Sequence, residues 1–268
     1  HRLIRRQRQM CIRDRYKIDM STFKIEDHYT LLTDYEGNSL RTFYIDKKGY
    51  IWFGTIDGIY IFDPTDGKLS HYKHSRTDPF SLPNNSIWEI SEDRQSNVWI
   101  GTYSGTLCYV NIDENNAFKT YHPQNSGLNH TPVSAFAEDQ QYLWVGTEGG
   151  GINRMNKATG EFSYITSANS ITSNNIKSLI TDAGHNLWIS TFMGGLDLYN
   201  VGRQKVTNFK HTKGAPHSLL VNDVRKTILE GDSGMWVAYQ YQKAEVSYFS
   251  FREESFTHFS LDLSLIHI

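Results

Sequence analysis

The sequence predicts an all-β chain folded as a β-propeller of four-stranded antiparallel blades, with about five and a half blades in its 268 residues. Three observations predict it. One pentapeptide recurs five times, as Ile51-Trp-Phe-Gly-Thr55, Val98-Trp-Ile-Gly-Thr102, Leu143-Trp-Val-Gly-Thr147, Leu187-Trp-Ile-Ser-Thr191 and Met235-Trp-Val-Ala-Tyr239. Its tryptophans stand 47, 45, 44 and 48 residues apart, the period of a unit of four short strands. No segment sustains the 3.6-residue period of an amphipathic helix, and β-branched and aromatic residues dominate the apolar stretches.

Each blade reads in the same order. A first strand such as Ile87-Trp-Glu-Ile-Ser-Glu-Asp93 or Ile176-Lys-Ser-Leu-Ile-Thr-Asp182 runs into a polar turn such as Asp46-Lys-Lys-Gly49 or Asp182-Ala-Gly-His-Asn186. The Trp strand follows. A turn bearing glycine comes next, at Asp57-Gly58, Ser104-Gly105, Gly149-Gly-Gly151 and Gly194-Gly195, where glycine supplies positive φ. A third strand, as in Ile59-Tyr-Ile-Phe62 or Leu196-Asp-Leu-Tyr199, leads to a fourth with an aromatic end, as in Lys68-Leu-Ser-His-Tyr72, Ala117-Phe-Lys-Thr-Tyr121 and Glu161-Phe-Ser-Tyr164. Residues 16–38 fit the two outer strands of an earlier blade, with Tyr16-Lys-Ile-Asp19 and Phe23-Lys-Ile-Glu26 as the strands, and Ser255-Phe-Thr-His-Phe259 completes the fifth. The repeated Trp should pack between neighbouring sheets, each ring burying roughly 150–250 Å², and the Gly beside it should admit a close neighbour.

The two ends read differently. Leu263-Ser-Leu-Ile-His-Ile268 can be encoded by CTGTCTCTTATACACATC, and the opposite strand of that DNA encodes Met-Cys-Ile-Arg-Asp, the run at 10–14. One DNA element read in both directions thus accounts for both ends, and it resembles a transposase recognition end used in sequencing libraries. Residues 1–15 and 263–268 are therefore expected to be non-native, adapter-like segments flanking propeller blades over 16–262, itself a fragment. Setting residues 1–15 aside leaves 21 basic and 28 acidic residues, a net charge of about −7 rather than −2, which argues against a nucleic-acid partner. Cys108 is the one cysteine of the remainder, so no internal disulfide is expected. No run of 18 apolar residues and no secretory h-region is present.

The run Asp-x-x-Gly-x-(Ile/Leu)-Trp-Ile-Gly-Thr-x-x-Gly-Gly-(Ile/Leu) resembles the two-component regulator propeller repeat. Gly49 through Ile59, Ser96 through Leu107, Tyr142 through Ile152 and Gly184 through Leu196 carry most of it. Ser81-Leu-Pro-Asn84 and Ser218-Leu-Leu-Val-Asn222 resemble the family's connecting segments, whereas the fifth copy departs, with Ala238-Tyr239 for Gly-Thr and Gln240-Tyr241-Gln242 for the Gly-Gly turn. The resemblance implies a fragment of a seven-bladed or paired propeller from the periplasmic part of a membrane-anchored hybrid histidine kinase. It further implies an oligosaccharide ligand, adjacent propeller and signalling domains in the parent chain, and a homodimeric parent.

The residues offer no catalytic apparatus. Gly146-Thr-Glu-Gly-Gly-Gly151 has no lysine and precedes no helix, so it reads as a hairpin turn and not a phosphate loop. Glu230-Gly-Asp-Ser-Gly234 lacks a full set of convergent oxygens for a hard cation. His71, His74, His122, His130, His185, His211 and His217 lack metal-ligand spacing and read as surface polar positions. No cofactor or metal is expected.

Topology narrows where a ligand would go. In an up-and-down blade the loops between strands two and three share a face with the connections into the next blade's first strand. That face is expected to carry Tyr103, Glu148, Phe192 and Tyr241 from the loops, and Asn85, Trp88 and Asn175 from the connections. Trp88 is the one Trp outside the repeated position. Aromatic platforms beside amides suit sugar rings and their hydroxyls, whereas asparagines that merely cap turns and a Trp88 that merely fills the core are the competing explanation. Two other functions stay open: a streptogramin-lyase-like enzyme using His130 and Glu148 beside Mg²⁺, and a protein-interaction propeller with a flat polar face.

Overall fold

Alternating apolar and polar residues between turn signals give strands throughout the computed structural model, which describes residues 14–18, 25–30, 40–103, 106–111, 115–122, 124, 126–240 and 245–260. A two-stranded antiparallel sheet comes first, β1 (Asp14–Ile18) with β2 (Ile25–Thr30). Five four-stranded antiparallel sheets follow, each a meander in chain order. Blade one is β3 (Leu40–Ile45), β4 (Ile51–Thr55), β5 (Gly58–Phe62) and β6 (Leu69–Tyr72). Blade two is β7 (Ile87–Glu92), β8 (Val98–Thr102), β9 (Leu107–Asn111) and β10 (Asn115–Tyr121). Blade three is β11 (Val133–Glu138), β12 (Tyr142–Thr147), β13 (Gly151–Asn156) and β14 (Phe162–Ile165). Blade four is β15 (Ile176–Thr181), β16 (Asn186–Thr191), β17 (Gly195–Asn200) and β18 (Lys205–Phe209). Blade five is β19 (Val224–Glu230), β20 (Gly234–Tyr239), β21 (Glu245–Ser250) and β22 (Ser255–Ser260).

The blades touch through their first strands, β3 on β7, β7 on β11, β11 on β15 and β15 on β19. This is an all-β propeller, with five full blades and the two-stranded sheet as the expected half. In the half blade the pairing runs from Asp14 opposite Thr30 to Ile18 opposite Ile25, and Asp19, Phe23 and Lys24 of the two expected strands lie outside the described residues. The adapter-like ends lie outside the described residues except for Asp14 and Arg15, which pair with Thr30 and Tyr29. Ser104 and Gly105 also lie outside them.

The repeated motif works as a set of small devices. In four blades an aspartate at the end of the first strand accepts the indole N–H of the Trp: Asp46 from Trp52 at 2.9 Å, Asp93 from Trp99 at 2.7 Å, Asp139 from Trp144 at 2.9 Å and Asp182 from Trp188 at 3.0 Å. The other oxygen of the same carboxylate accepts backbone N–H groups of the turn, as Asp46 does from Lys48 and Tyr50. One side chain therefore closes the hairpin and fixes the ring, satisfying a donor that burial would otherwise leave costly. The next residues seal the blade. Thr55, Thr147 and Thr191 donate their hydroxyls to the carbonyls of Gly58, Gly151 and Gly195. A Cβ on Gly54, Gly101 or Gly146 would lie 2.7, 2.7 or 2.6 Å from Ile87, Val133 or Ile176, the first apolar residue of the following blade. Glycine is there so that the first strands can close on one another.

Four cores result, one at each blade junction. Trp52 packs with Ile87, Ile90 and Ile100; Trp99 with Val133, Phe136 and Val145; Trp144 with Ile176, Leu179 and Ile189; Trp188 with Val224, Val237 and Phe249. Those four rings are at most 5% exposed, whereas Trp236 of blade five is 37% exposed. Cys108 is free and buried, and burial pushes its thiol pKa up.

Candidate functional site

In every blade the pairing of the first strand with the second skips one residue. The register passes from Leu40 to Thr42, Ile87 to Glu89, Val133 to Ala135, Ile176 to Ser178 and Val224 to Lys226. The unpaired residues are Arg41, Trp88, Ser134, Lys177 and Arg225. A bulge of this kind turns a side chain out of the regular pleat, and bulges recur at barrel rims and beside active sites. Because the first strands are the ones that touch from blade to blade, the five bulged residues form an arc at one end of the innermost layer. Ser134 is buried and donates to the carbonyl of Ile176 at 2.6 Å. The other four are large, and three of them are cationic.

These side chains meet. The guanidinium carbons of Arg41 and Arg225 lie 5.1 and 5.9 Å from the Trp88 ring centroid, and Tyr103 lies 5.4 Å from the same ring. Arg41 also lies 5.6 Å from the Tyr103 ring and donates to Ser86 Oγ at 2.9 Å. Lys226 donates to Glu89 at 3.2 Å, a bond between blades five and two. Lys177 pairs with Glu148 and sits 5.4 Å from the Phe192 ring. Arg41, Thr42, Phe43, Glu89, Lys177, Arg225 and Lys226 line a cleft of about 260 Å³.

Electrostatics of the cleft follow from burial. Desolvation raises the Glu89 pKa, opposed by Lys226 and Arg225. Desolvation likewise raises that of Asp223, opposed by Lys177 and Arg225, and Asp223 Oδ1 is buried with no hydrogen-bond partner. A second depression, of about 360 Å³, lies against the connection between blades four and five and is lined by His211, Pro216, Leu219 and His258 among others. Its His258 is hydrogen-bonded to Ser247, which bonds Tyr239 in turn, so its polar groups are spent on one another.

The structure brings Trp88 and Tyr103 together against the arginines that line the cleft, and Glu148, Phe192 and Asn175 together near Lys177. Glu148 bridges to Asn175, whose carbonyl accepts the N–H of Phe192 at 2.9 Å. Asn85 points elsewhere: its Oδ1 accepts the N–H of His74 at 2.6 Å while its carbonyl accepts that of Gly58. Asn222 does the same for His211 and Gly195. Tyr241 lies outside the described residues. His130 rests against Gly149 and Gly150, and the Glu148 carboxylate meets Lys177.

Sequence reasoning missed Arg41, Glu89, Lys177, Arg225 and Lys226. A signal was present. Trp88, Lys177 and Arg225 each stand three residues after a repeated asparagine, Asn85, Asn174 and Asn222. The spacing goes unnoticed when the three are read as unrelated residue types.

The comparisons agree with this architecture. The two component regulator propeller pattern matches residues 34–57 and 81–104. Histidine kinase P4 of Formosa agariphila is 27% identical over 201 residues, covering 69% of this chain and 14% of that protein. Among solved structures, the extracellular domain of BT3049, a candidate hybrid two component system of B. thetaiotaomicron, superposes with a TM-score of 0.70 at 19% identity, over 86% of this chain and 30% of that one. PorZ, a surface component of the type-IX secretion system of Porphyromonas gingivalis, superposes with a TM-score of 0.60 at 14% identity, over 80% of this chain and 33% of that one. The chain thus spans at most about a third of each of these longer proteins. The chain is a β-propeller, and two of its segments match the two component regulator propeller pattern.

Proposed function

We propose that the chain is the ligand-sensing propeller of a two-component regulator, placed in the periplasm as part of an inner-membrane-anchored histidine kinase. The bulged residues at the inner end of the blades receive one part of an oligosaccharide. The observation that carries this reading is the bulge repeated at the same place in five blades, which brings Arg41, Lys177 and Arg225 to one cleft and sets Trp88 against the two arginines. Ser134 spends its bulge on a hydrogen bond to the next blade, whereas the other four present large side chains. Trp88 and Tyr103 supply a platform for the C–H face of a sugar ring, and the surrounding cations and carboxylates meet its polar substituents.

In this reading the ligand biases the arrangement of the sensor and the adjoining signalling domains respond, so no bond is broken in the propeller. The parent is a homodimer whose two propellers report together. Thermal unfolding of the chain against a panel of plant and host oligosaccharides tests it. A ligand present at 100 times its Kd stabilises by about 2.7 kcal/mol, and Trp88→Ala should abolish that gain without lowering the unliganded midpoint comparably. Turnover of a small molecule in place of saccharide binding would count against sensing.

A further inference from the structure

The structure assigns an acidic group to the saccharide: we infer that the cleft takes a sugar bearing a carboxylate or a sulfate, held between Arg41 and Arg225 beside Trp88. This rests on the sensing reading above and specifies its ligand. Four cations face the cleft, Arg41, Lys177, Arg225 and Lys226, and three carboxylates stand among them, Glu89, Glu148 and Asp223. Two of the acids are matched, Glu89 by Lys226 and Glu148 by Lys177. Asp223 is within electrostatic reach of Lys177 and Arg225, yet its buried Oδ1 accepts no hydrogen bond.

The two guanidiniums are left over. Among the described residues Arg41 gives one hydrogen bond, to a serine hydroxyl. The Arg225 guanidinium makes no hydrogen bond or ion pair with a described residue, and its neighbour is the same indole that Arg41 approaches. Each guanidinium carries five donors in a planar fork that matches carboxylate and sulfate oxygens, which lysine does not. Two like charges beside one ring repel each other, and an anion between them relieves that repulsion. The bulge keeps both in place, since residues 41 and 225 are excluded from the strand ladder and so are free to point inward.

The size of the cleft limits what enters. About 260 Å³ falls just below the ordinary lower bound for small-ligand pockets, roughly 300 Å³. It admits one ring of a chain, so the acidic residue itself enters, with its apolar face on Trp88 and its anion toward the arginines.

Calorimetric titration of the chain tests this with trisaccharides of galacturonate and guluronate and a sulfated galactan trisaccharide, each beside its neutral methyl ester or desulfated counterpart. At least one acidic member should bind at least tenfold more tightly than its neutral counterpart, and raised salt should weaken it. Whether the carboxylated or the sulfated member wins distinguishes the two anions. Arg225→Ala should remove the tenfold preference, Arg225→Lys should restore part of it, and Lys205→Ala on an exposed outer strand should change nothing. Neutral members binding as tightly as acidic ones, or a preference that survives Arg225→Ala, overturns the acidic ligand and leaves saccharide sensing standing. Failure of every saccharide, acidic or neutral, defeats the sensing reading and this inference with it.

Discussion

The aspartate that closes each first hairpin carries more of the fold than its surface-turn sequence suggests. Asp139 holds the Trp144 indole and two turn N–H groups at 2.7 to 2.9 Å. Replacing it by alanine strands a buried indole N–H, at a cost of about 1–3 kcal/mol; urea denaturation should show a lower midpoint, and an unchanged one would refute the clamp. Asp197 is a second buried carboxylate, fully enclosed and hydrogen-bonded by Thr172 and Asn208. Burial raises its pKa and those hydrogen bonds only partly oppose it. A raised folded-state pKa means that its contribution is complete below the unfolded value and is lost as pH rises through the folded one. Asn153 occupies the same place in blade three and accepts the N–H of Asn129. Asp197→Asn should therefore gain stability relative to the parent chain as pH rises through the carboxylate range, read from unfolding at a series of pH values. A difference that stays flat or reverses would contradict the assignment. Asp46 and Asp182 were legible as turn residues, whereas the hold of all four aspartates on the indole was not, because it depends on the ring turning back over the hairpin.

At the scale of the element, the repeat was legible because a blade is a local object. Pentapeptide, glycine turn and aromatic fourth strand all act within one meander, and their order along the chain is their order in the sheet. What crosses between blades was legible only in part. Gly54, Gly101 and Gly146 could be read as sites of close approach, but the bulge at Arg41, Trp88, Lys177 and Arg225 could not, since alternation continues through it and a one-residue slip leaves no mark on composition. The exception among the tryptophans follows from the same inter-blade logic. Trp144 is buried against blade four, while Trp236 shares the far face of blade five with Ile228 and Phe259, which are 60% and 43% exposed. Trp144→Ala should cost about 3–5 kcal/mol, as truncation of a buried aromatic does. Trp236→Ala should cost less than half of that, because much of its surface already meets solvent. Equal losses in a denaturant titration would mean that the fifth ring is buried in solution.

On the scale of the whole molecule, blades meet chiefly their neighbours, so packing energy is distributed over four junctions and the chain behaves as a nearly one-dimensional stack. The Lys226–Glu89 bond is different, since it links blade five to blade two across the inner layer. It lies in the same cleft as the arginines, where a ligand would tie the first strands of blades one and two to those of blades four and five. The sequence singled out Trp88 and Tyr103, which pack together, but offered amides as their polar partners; Asn85 spends its oxygen on the connecting segment, and the cations facing the cleft come from first strands read as plain packing elements. Hydrogen–deuterium exchange of the chain with and without a saccharide that binds it tests the central claim most directly. Added protection is expected at the starts of β3, β7, β15 and β19, around Arg41, Trp88, Lys177 and Arg225, with the outer strands β6, β10, β14 and β18 unchanged. Protection confined to the outer strands or to the depression around His211 and His258 would contradict it.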